Sequence, residues 1–280
     1  MKNCIVVVNI FNKSAQKIVK EIKTFLTARD FSCTVVEFNG QNTIFPDIDY
    51  EFIITLGGDG TVLYASRQCI HQNKPIFPIN FGEFGFIAGI QPKEWKAKLD
   101  LLLADTIDFT KRSLLYIEVI RNNERVFYQH VLNEVVLKPT LPMKTILLDI
   151  EANGIPFGKF KADGVIVATA TGSTAYSVAA GGPIVDPVLD AILLNPISAF
   201  SLSTRPLVLA GDTELKIEIL PSRSSEFMVS CDGQVHFDIQ SGDFVIVKQS
   251  TEKALLVGCT QDVFYSALRS KFHWSGGPFA

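Results

Sequence analysis

The stretch Glu51-Phe52-Ile53-Ile54-Thr55-Leu56-Gly57-Gly58-Asp59-Gly60-Thr61 joins an apolar run to a glycine-rich one. Its first half predicts a parallel strand covered on both faces, because such strands lose the polar alternation of half-exposed ones. Ligands of open α/β sheets bind at the carboxyl ends of the strands, where glycines let a phosphate approach the backbone. The residues after Thr61 can open a helix, whose N-terminus offers free N–H groups to an anion. The stretch therefore predicts a phosphate site on an α/β sheet.

Asp59 stands in this motif where a P-loop keeps its lysine. A carboxylate repels phosphate unless it binds a metal ion or a hydroxyl proton, so Asp59 favours phosphoryl transfer over simple phosphate binding. The alternative is a plain Gly-Asp-Gly turn between a strand and a helix. These residues by themselves leave both interpretations open.

The composition bounds the class of protein. The 280 residues suffice for one large or two ordinary domains, at about 100–200 residues each. The net charge of -3 argues against broad affinity for nucleic acids or anionic membranes, because there is no basic excess to release counterions. No apolar run reaches the roughly 18 residues of a membrane span. The apolar residues near the N-terminus predict a first core strand rather than a signal peptide.

The cysteines and histidines do not cluster at metal-ligand spacings. An odd number of scattered cysteines predicts reduced, buried thiols in a cytoplasmic protein and no zinc held by the chain. The residues concerned are Cys4, Cys33, Cys69, Cys231, Cys259, His71, His130, His236 and His273.

Strand and helix patterns alternate through the first hundred residues and indicate a doubly wound α/β domain with a parallel sheet. The predicted strands are Asn3–Asn9, Phe31–Phe38, Glu51–Leu56 and Pro75–Asn80, and the predicted helices are Ser14–Arg29, Thr61 to about His71, and Pro92–Ala104. A second glycine-rich segment, Phe81 to Gly89, follows the fourth strand. It either lines the same crevice as the first or forms a tight loop with its aromatic residues in the core.

Strand patterns dominate after about residue 105 and predict a β-sandwich. Asn153-Gly154 is the strongest hairpin signal among them. Further strands are predicted at 165–168, 215–220, 226–230, 243–248 and 254–259. The sequence thus predicts an α/β domain over residues 1–105 and a β-rich domain over 106–261. A helix over about 262–272 is expected to return to the first domain.

Three polar clusters in the β-rich half could carry chemistry. Asn133-Glu134 interrupts a run of strand formers, where two polar side chains are costly unless they find partners or a ligand. Lys161 and Asp163, two apart in extended chain, point the same way, and the hydroxyl-rich segment from Thr169 to Ser177 follows them. These two clusters favour a nucleotide site over a strand edge or a structural transition. Ser230 to Gln234 contains Asp-Gly and reads first as a hairpin turn.

Taken together, the motifs resemble those of the NAD kinase family over nearly the whole chain. The motifs that carry the resemblance are Gly57-Gly58-Asp59-Gly60-Thr61, Asn80-Phe81-Gly82-x-x-Gly85-Phe86, Asn133-Glu134, Asp163-Gly164, Thr171-Gly172-Ser173-Thr174-Ala175-Tyr176, Gly181-Gly182-Pro183, Ser230-Cys231-Asp232-Gly233-Gln234 and Leu268-Arg269-x-Lys271-Phe272-x-Trp274. The first motif also occurs in diacylglycerol and sphingosine kinases. The combination of Asn-Glu with Thr-Gly-Ser-Thr-Ala-Tyr is the specific part.

The resemblance implies phosphoryl transfer from ATP, or in some members polyphosphate, to the 2′-hydroxyl of the adenosine ribose of NAD. It implies a divalent ion, Mg²⁺, with the donor, and a homodimer or homotetramer. Asp59 matches the proposed proton acceptor, a role open to an oriented carboxylate. The residues implied to contact NAD are Gly60, Asn133, Glu134, Lys144, Lys161, Asp163, Thr174, Ala175, Tyr176, Ser177, Val178, Ala179 and Gln234.

Two other functions are alternatives to the phosphorylation of NAD. A lipid or sphingoid kinase on the same glycine motif would need an apolar cavity for an acyl chain, and the hydroxyl-rich segment argues for a nucleotide instead. A non-catalytic dinucleotide-binding regulator would keep the pocket without the chemistry. The presence of Asp59 weakens that second alternative.

Overall fold

The computed structural model describes residues 2–40, 43–82, 85–201, 203–222 and 226–272. The motif positions Glu83, Phe84 and Trp274, and also His273, lie outside these ranges. The chain divides into two compact units, Met1–Lys111 with Ala254–Ala280, and Arg112–Lys253.

The first unit is built on a parallel sheet flanked by helices. Its elements are β1 Lys2–Asn9, α1 Lys13–Thr27, β2 Phe31–Phe38, β3 Phe52–Gly57, α2 Asp59–Cys69, a 3-10 turn at Ile70–Gln72, β4 Ile76–Asn80 and α3 Trp95–Leu103. The strands lie in the order β2-β1-β3-β4, with every neighbouring pair parallel. The predicted α/β architecture is confirmed.

Helix α1 covers one face of this sheet. Its N-terminus is capped by Asn12, whose side-chain oxygen accepts the N–H groups of Ser14 and Ala15. The buried side chains Ile22 and Leu26 of α1 pack in one cluster with alternate residues of β1. The apolar residues on one face of the helix and the alternate residues of the strand thus form one apolar layer.

The second unit is a β-sandwich, as predicted. The start of β5 (residues 109–111) and the end of β16 (residues 254–257) are assigned to the first unit. The elements are β5 Phe109–Arg121, β6 Glu124–Val131, β7 Glu134–Pro139, β8 Ile146–Ala152, β9 Ile155–Ala162, β10 Gly164–Thr169, a 3-10 turn at Thr171–Thr174, α4 Tyr176–Ala179, β11 Ala191–Ile197, β12 Leu207–Ala210, β13 Leu215–Ile219, β14 Phe227–Cys231, β15 Val235–Ile239 and β16 Phe244–Val257. One antiparallel sheet has the order β12-β11-β10-β7-β14-β15, and the other contains β16-β13-β8-β9. Buried side chains of both sheets form one cluster.

The turns that the sequence signals are present. Asn153-Gly154 joins β8 to β9 and Asp232-Gly233 joins β14 to β15, with positive φ at all four residues. Positive φ at both central residues is the requirement of the tight hairpin turn. Two strands, β11 and β12, have no counterpart in the predicted set, and β16 is one strand where two segments were predicted.

The last helix, α5 Gln261–Phe272, belongs to the first unit. Its residues Phe264 and Phe272 each place a ring centroid 6.0 Å from that of Phe86. No helix in the described ranges is long and apolar enough to cross a membrane.

Candidate active site

Asp59 begins helix α2 directly after the glycine pair. Strand β3 ends at Gly57, Gly58 is the N-cap, and the helix therefore starts two residues earlier than the predicted Thr61. Gly60, in the first turn, is exposed, and Asp59 is partly exposed. The motif is thus a direct strand-to-helix junction whose carboxylate is reachable from solvent.

Three consecutive backbone N–H groups hold the Asp59 carboxylate. Phe86 N–H donates to Oδ2 at 2.9 Å, while Ile87 and Ala88 N–H donate to Oδ1 at 3.2 and 2.9 Å. A carboxylate offers about four lone-pair positions, so these bonds leave Oδ2 with one acceptor position. The carboxylate is therefore fixed in orientation and still able to accept a proton.

The two glycine-rich segments are neighbours within the first unit. Phe81 N–H donates to Gly57 O at 2.9 Å, and a Cβ placed on Gly82 would lie 3.6 Å from the Cα of Gly58. A Cβ on Gly85 would overlap the Asp59 carboxylate, whereas one on Gly58 would meet open space. Gly85 is thus required by the position of Asp59, and the backbone at Gly58 is open to a ligand.

Asp232 organises Asn133 and Glu134 in the second unit. Its Oδ1 accepts the N–H groups of Asn133 and Glu134 at 2.8 and 3.2 Å, and its Oδ2 accepts that of Leu132 at 3.1 Å. In return the Asp232 N–H donates to Glu134 O at 2.9 Å. The sequence predicted a hairpin turn here, with Gln234 as the candidate contact, and assigned no role to Asp232. One sequence signal of a further role for Asp232 is its position, since it places a carboxylate in a turn that joins two apolar strands.

Three side-chain oxygens of this region are buried without a hydrogen-bond partner. They are Asn133 Oδ1, Glu134 Oε2 and Thr171 Oγ1. Buried polar atoms are almost always paired with protein, ordered water or a ligand, so these three atoms are available to bind one of the latter two. The three atoms lie in the region that the sequence predicts to bind a nucleotide. Two belong to an amide and a carboxyl group, and the third is a hydroxyl oxygen.

Glu134 has a strongly altered acidity. The pKa of its carboxyl is raised to about 8: burial is the largest cause, the negative charge of Asp232 acts in the same direction, and the N–H of Tyr176 opposes the shift. Burial disfavours the charged form because the interior solvates a carboxylate poorly. Near neutral pH the side chain is therefore largely a neutral acid that can donate a hydrogen bond.

The hydroxyl-rich segment has mainly structural contacts. Thr169 Oγ1 donates to Leu132 O at 2.6 Å and accepts Gly172 N–H at 3.0 Å. Ser173 Oγ exchanges two bonds with the backbone of Val185, at 3.1 and 3.0 Å. The sequence favoured a nucleotide site for this segment, whereas the hydroxyls of Thr169 and Ser173 bond to the backbone of the fold. Thr171, with its unpaired Oγ1, is the exception.

The same segment adjoins Asn133. A Cβ on Gly172 would overlap the carbonyl group of Asn133, so only glycine permits this approach. The segment forms a 3-10 turn over Thr171–Thr174, and α4 then starts at Tyr176. Tyr176 and Ala179 are exposed, Thr174, Ala175 and Val178 are partly exposed, and Ser177 is buried.

The remaining predicted residues do not all gather here. Gln234 lies partly exposed in the turn that carries Asp232. Lys144 is exposed in the connection between β7 and β8. Lys161, near the end of β9, and Asp163, between β9 and β10, are exposed close to the start of β10, whereas Glu134 pairs with Ala168 near its end. The length of β10, about 17 Å at roughly 3.3 Å per residue, separates them from Asn133.

A metal site made by side chains is not found among the described residues, where no group of three His, Cys, Asp or Glu could hold an ion. Mg²⁺ in phosphoryl-transfer enzymes is usually held by one or two carboxylates together with substrate phosphates. The carboxylates present fit that mode only in part, since three acceptor positions of Asp59 are already used.

Comparison with known proteins agrees with the motifs. A model of the ATP-NAD kinase N-terminal domain matches residues 43–107, and one of the C-terminal domain matches residues 132–259. An NAD kinase of Treponema denticola is 47% identical over 278 residues, which cover 99% of this chain and 98% of the relative.

Solved structures agree as well. Yeast NADH kinase complexed with NADH has a TM-score of 0.84 and 25% identity, covering 100% of this chain and 89% of that one. An NAD kinase from Archaeoglobus fulgidus in complex with ATP has a TM-score of 0.75 and 25% identity, covering 97% of each chain. The resemblance inferred from the motifs is confirmed, and the chain belongs to the NAD kinase family.

Proposed function

We propose that the protein transfers the terminal phosphoryl group of ATP to the 2′-hydroxyl of the adenosine ribose of NAD, giving NADP and ADP. Membership of the NAD kinase family supports the reaction class. The observation that carries the chemistry is the Asp59 carboxylate, held by three N–H groups with one acceptor position left.

Asp59 is the proton acceptor in this proposal. The ribose hydroxyl attacks phosphorus and gives its proton to Oδ2, while the bond from phosphorus to the bridging oxygen of ADP breaks. A hydroxyl is a weak acid, so a fixed acceptor within hydrogen-bond reach lowers the barrier. The backbone open at Gly58 and the exposed Gly60, at the start of α2, would face phosphate groups.

Asn133 and Glu134 hold the dinucleotide in this proposal. Asn133 Oδ1 would accept from an amino group, and the neutral Glu134 would donate to a ring nitrogen or hydroxyl oxygen. Thr174 to Ala179 and Gln234 are assigned to NAD as well. We also assign Lys144, Lys161 and Asp163 to NAD, by motif alone.

A divalent ion accompanies the donor in this proposal. We expect Mg²⁺ to be held chiefly by the phosphates of ATP, since the described residues offer no three-ligand cluster. Its contribution is to neutralise the charge of the phosphates as the transferred group moves.

The test is an assay of the purified full chain with NAD, ATP and Mg²⁺. NADP is detected with an NADP-specific dehydrogenase, and circular dichroism verifies the fold. We expect NADP to accumulate and chelation of the metal to stop it. Folded protein that binds NAD without forming NADP would indicate a dinucleotide-binding regulator. Phosphorylation of a lipid in place of NAD would indicate the lipid kinase alternative.

The same assay determines the substrate range. NAD and NADH are offered with either ATP or polyphosphate, because the yeast relative binds NADH and the Archaeoglobus relative binds ATP. The homodimer or homotetramer and the cytoplasmic location stay predictions. Light scattering after size-exclusion chromatography measures the oligomeric state.

A further inference from the structure

Two thiols face each other on neighbouring strands of the first unit. Cys4 on β1 pairs in register with Cys33 on the parallel strand β2, and their sulfur atoms are 3.2 Å apart. Parallel strands lie about 4.8 Å apart, within the Cα separation of about 4.4–6.8 Å that a disulfide spans. Both side chains belong to the layer that α1 covers. The backbone therefore already has the spacing that a disulfide needs.

The two sulfurs are not equivalent. Cys4 is fully buried and donates its S–H to Cys33, which is partly exposed. This hydrogen bond lowers the pKa of the Cys33 thiol; burial opposes the shift, and the positive charge of Lys23 supports it. The same hydrogen bond raises the pKa of the Cys4 thiol. Cys33 is thus the sulfur that both ionises and meets solvent.

We propose that Cys33 and Cys4 form an oxidation site for hydroperoxides, with Cys33 as the attacking sulfur and Cys4 as the resolving one. The Cys33 thiolate attacks the peroxide O–O bond, taking one oxygen to become a sulfenic acid and releasing hydroxide or alkoxide. The Cys4 sulfur then attacks the sulfenic sulfur, forming the S–S bond and expelling the oxygen as water with the Cys4 proton. The two thiols lose two electrons, which the peroxide accepts.

The other cysteines lack this combination. Cys69, Cys231 and Cys259 are buried, and burial raises the pKa of the Cys69 thiol to about 12. A thiol has to ionise before it attacks a peroxide, so a buried thiol with a raised pKa reacts slowly. Cys69 is therefore a matched control on the same unit.

The experiment treats the full chain with hydrogen peroxide at pH 7.5 (roughly one unit below the ordinary cysteine pKa) and counts free thiols after denaturation. The wild-type chain should lose two of its five thiols, with a peptide pair linked through Cys4 and Cys33 in the mass spectrum. Dithiothreitol should restore both thiols. Cys33→Ser should keep all its thiols, with oxidation slowed by at least about tenfold. Cys69→Ser should still lose two.

Three results would overturn the proposal. Loss of two thiols in Cys33→Ser would assign the oxidation to other cysteines. Conversion of Cys33 to a sulfinic acid while Cys4 stays a free thiol would remove the resolving role. Full retention of all thiols by the wild-type chain would remove the site altogether. Cys33→Ser changes a partly exposed position, so it tests the pair without emptying the buried Cys4 position.

Discussion

Asp59 in the first unit and Asp232 in the second each accept hydrogen bonds from three consecutive backbone N–H groups. Their surroundings differ. Asp59 is partly exposed at the start of a helix, and Asp232 is only 6% exposed. The same arrangement of bonds therefore serves two purposes. An accessible carboxylate keeps a free lone pair for a substrate, and a buried one fixes the backbone that presents other side chains.

The largest effect should follow Asp59→Asn. The amide keeps an oxygen for Ile87 and Ala88 but replaces Oδ2, so it loses both the proton acceptor and the bond from Phe86. Turnover should fall by about 10²–10⁴-fold, the usual contribution of a general base. The KM for NAD should be nearly unchanged. Steady-state NADP formation and calorimetric NAD binding measure the two quantities, and unchanged turnover would transfer the role to another group.

Asp232→Asn should mainly affect folding and NAD affinity. It removes the charge from three buried hydrogen bonds. Hydrogen bonds to charged groups contribute about 1.5–3 kcal/mol each. We expect the free energy of unfolding in urea to fall by about 3 kcal/mol, and the KM for NAD to rise more than the turnover falls. Asp59→Asn is the matched control, because it should cost only about 1 kcal/mol of stability. Equal losses in the two variants would contradict the comparison.

The contrast between these carboxylates also separates what the sequence predicts from what it does not. Gly57-Gly58-Asp59 follows an apolar strand, so the strand and its junction with a helix can be inferred locally, whereas the role of Asp59 is predicted only from the combined motifs. Asp232 bonds to residues 98–100 positions away. That contact depends on the pairing of β14 with β7, which no local pattern specifies.

Strand β11, one of the two strands that the sequence did not predict, also depends on partners elsewhere in the chain. Strand β11 contains Asn195 and Pro196, which weaken its strand signal. Asn195 is nevertheless fully buried; its Nδ2 donates to the carbonyl of Ser177 at 2.8 Å, while its Oδ1 has no hydrogen-bond partner among the described residues. The hydroxyl of Ser173 is likewise satisfied by Val185 on a distant part of the chain. Long-range partners thus decide which polar residues are structural and which stay free for a ligand.

Two glycine substitutions would sharpen the comparison further. A methyl group at Gly85 overlaps the end of the Asp59 side chain, and one at Gly172 overlaps the backbone carbonyl of Asn133. Gly85→Ala should therefore displace the proton acceptor and lower turnover roughly tenfold, since small displacements of a reacting group are costly. Gly172→Ala should raise the KM for NAD by a similar factor. Steady-state kinetics of both variants measures the turnover and the KM for NAD. If the two variants changed turnover and KM in the same way, the separate roles of Asp59 and Asn133 would be contradicted. Gly58→Ala, where the structure has open space, is the control for folding.

The remaining effect concerns the dependence of stability on pH. Burial and the Asp232 charge raise the pKa of Glu134 from 4.5 to about 8. Between these values the folded chain binds a proton that the unfolded chain has released, so the free energy of unfolding falls as pH rises through this window. At about 1.4 kcal/mol per unit of pKa shift, the fall from this group amounts to a few kcal/mol. Glu134→Gln should remove that contribution and leave the curve flatter between pH 5 and 8.

Urea denaturation across this pH range measures both curves. Parallel curves for the wild-type chain and Glu134→Gln would mean that Glu134 is ionised in the folded protein. In Asp232→Asn the pKa of Glu134 in the folded chain should fall but stay above its ordinary value, because burial is the larger cause of the shift. The pH range over which stability declines should therefore become narrower without disappearing. The buried carboxylate of Asp232, which fixes the backbone, thus also contributes to the protonation of its neighbour Glu134. The partly exposed Asp59 accepts its three bonds from the backbone N–H groups of residues 86–88, which do not titrate.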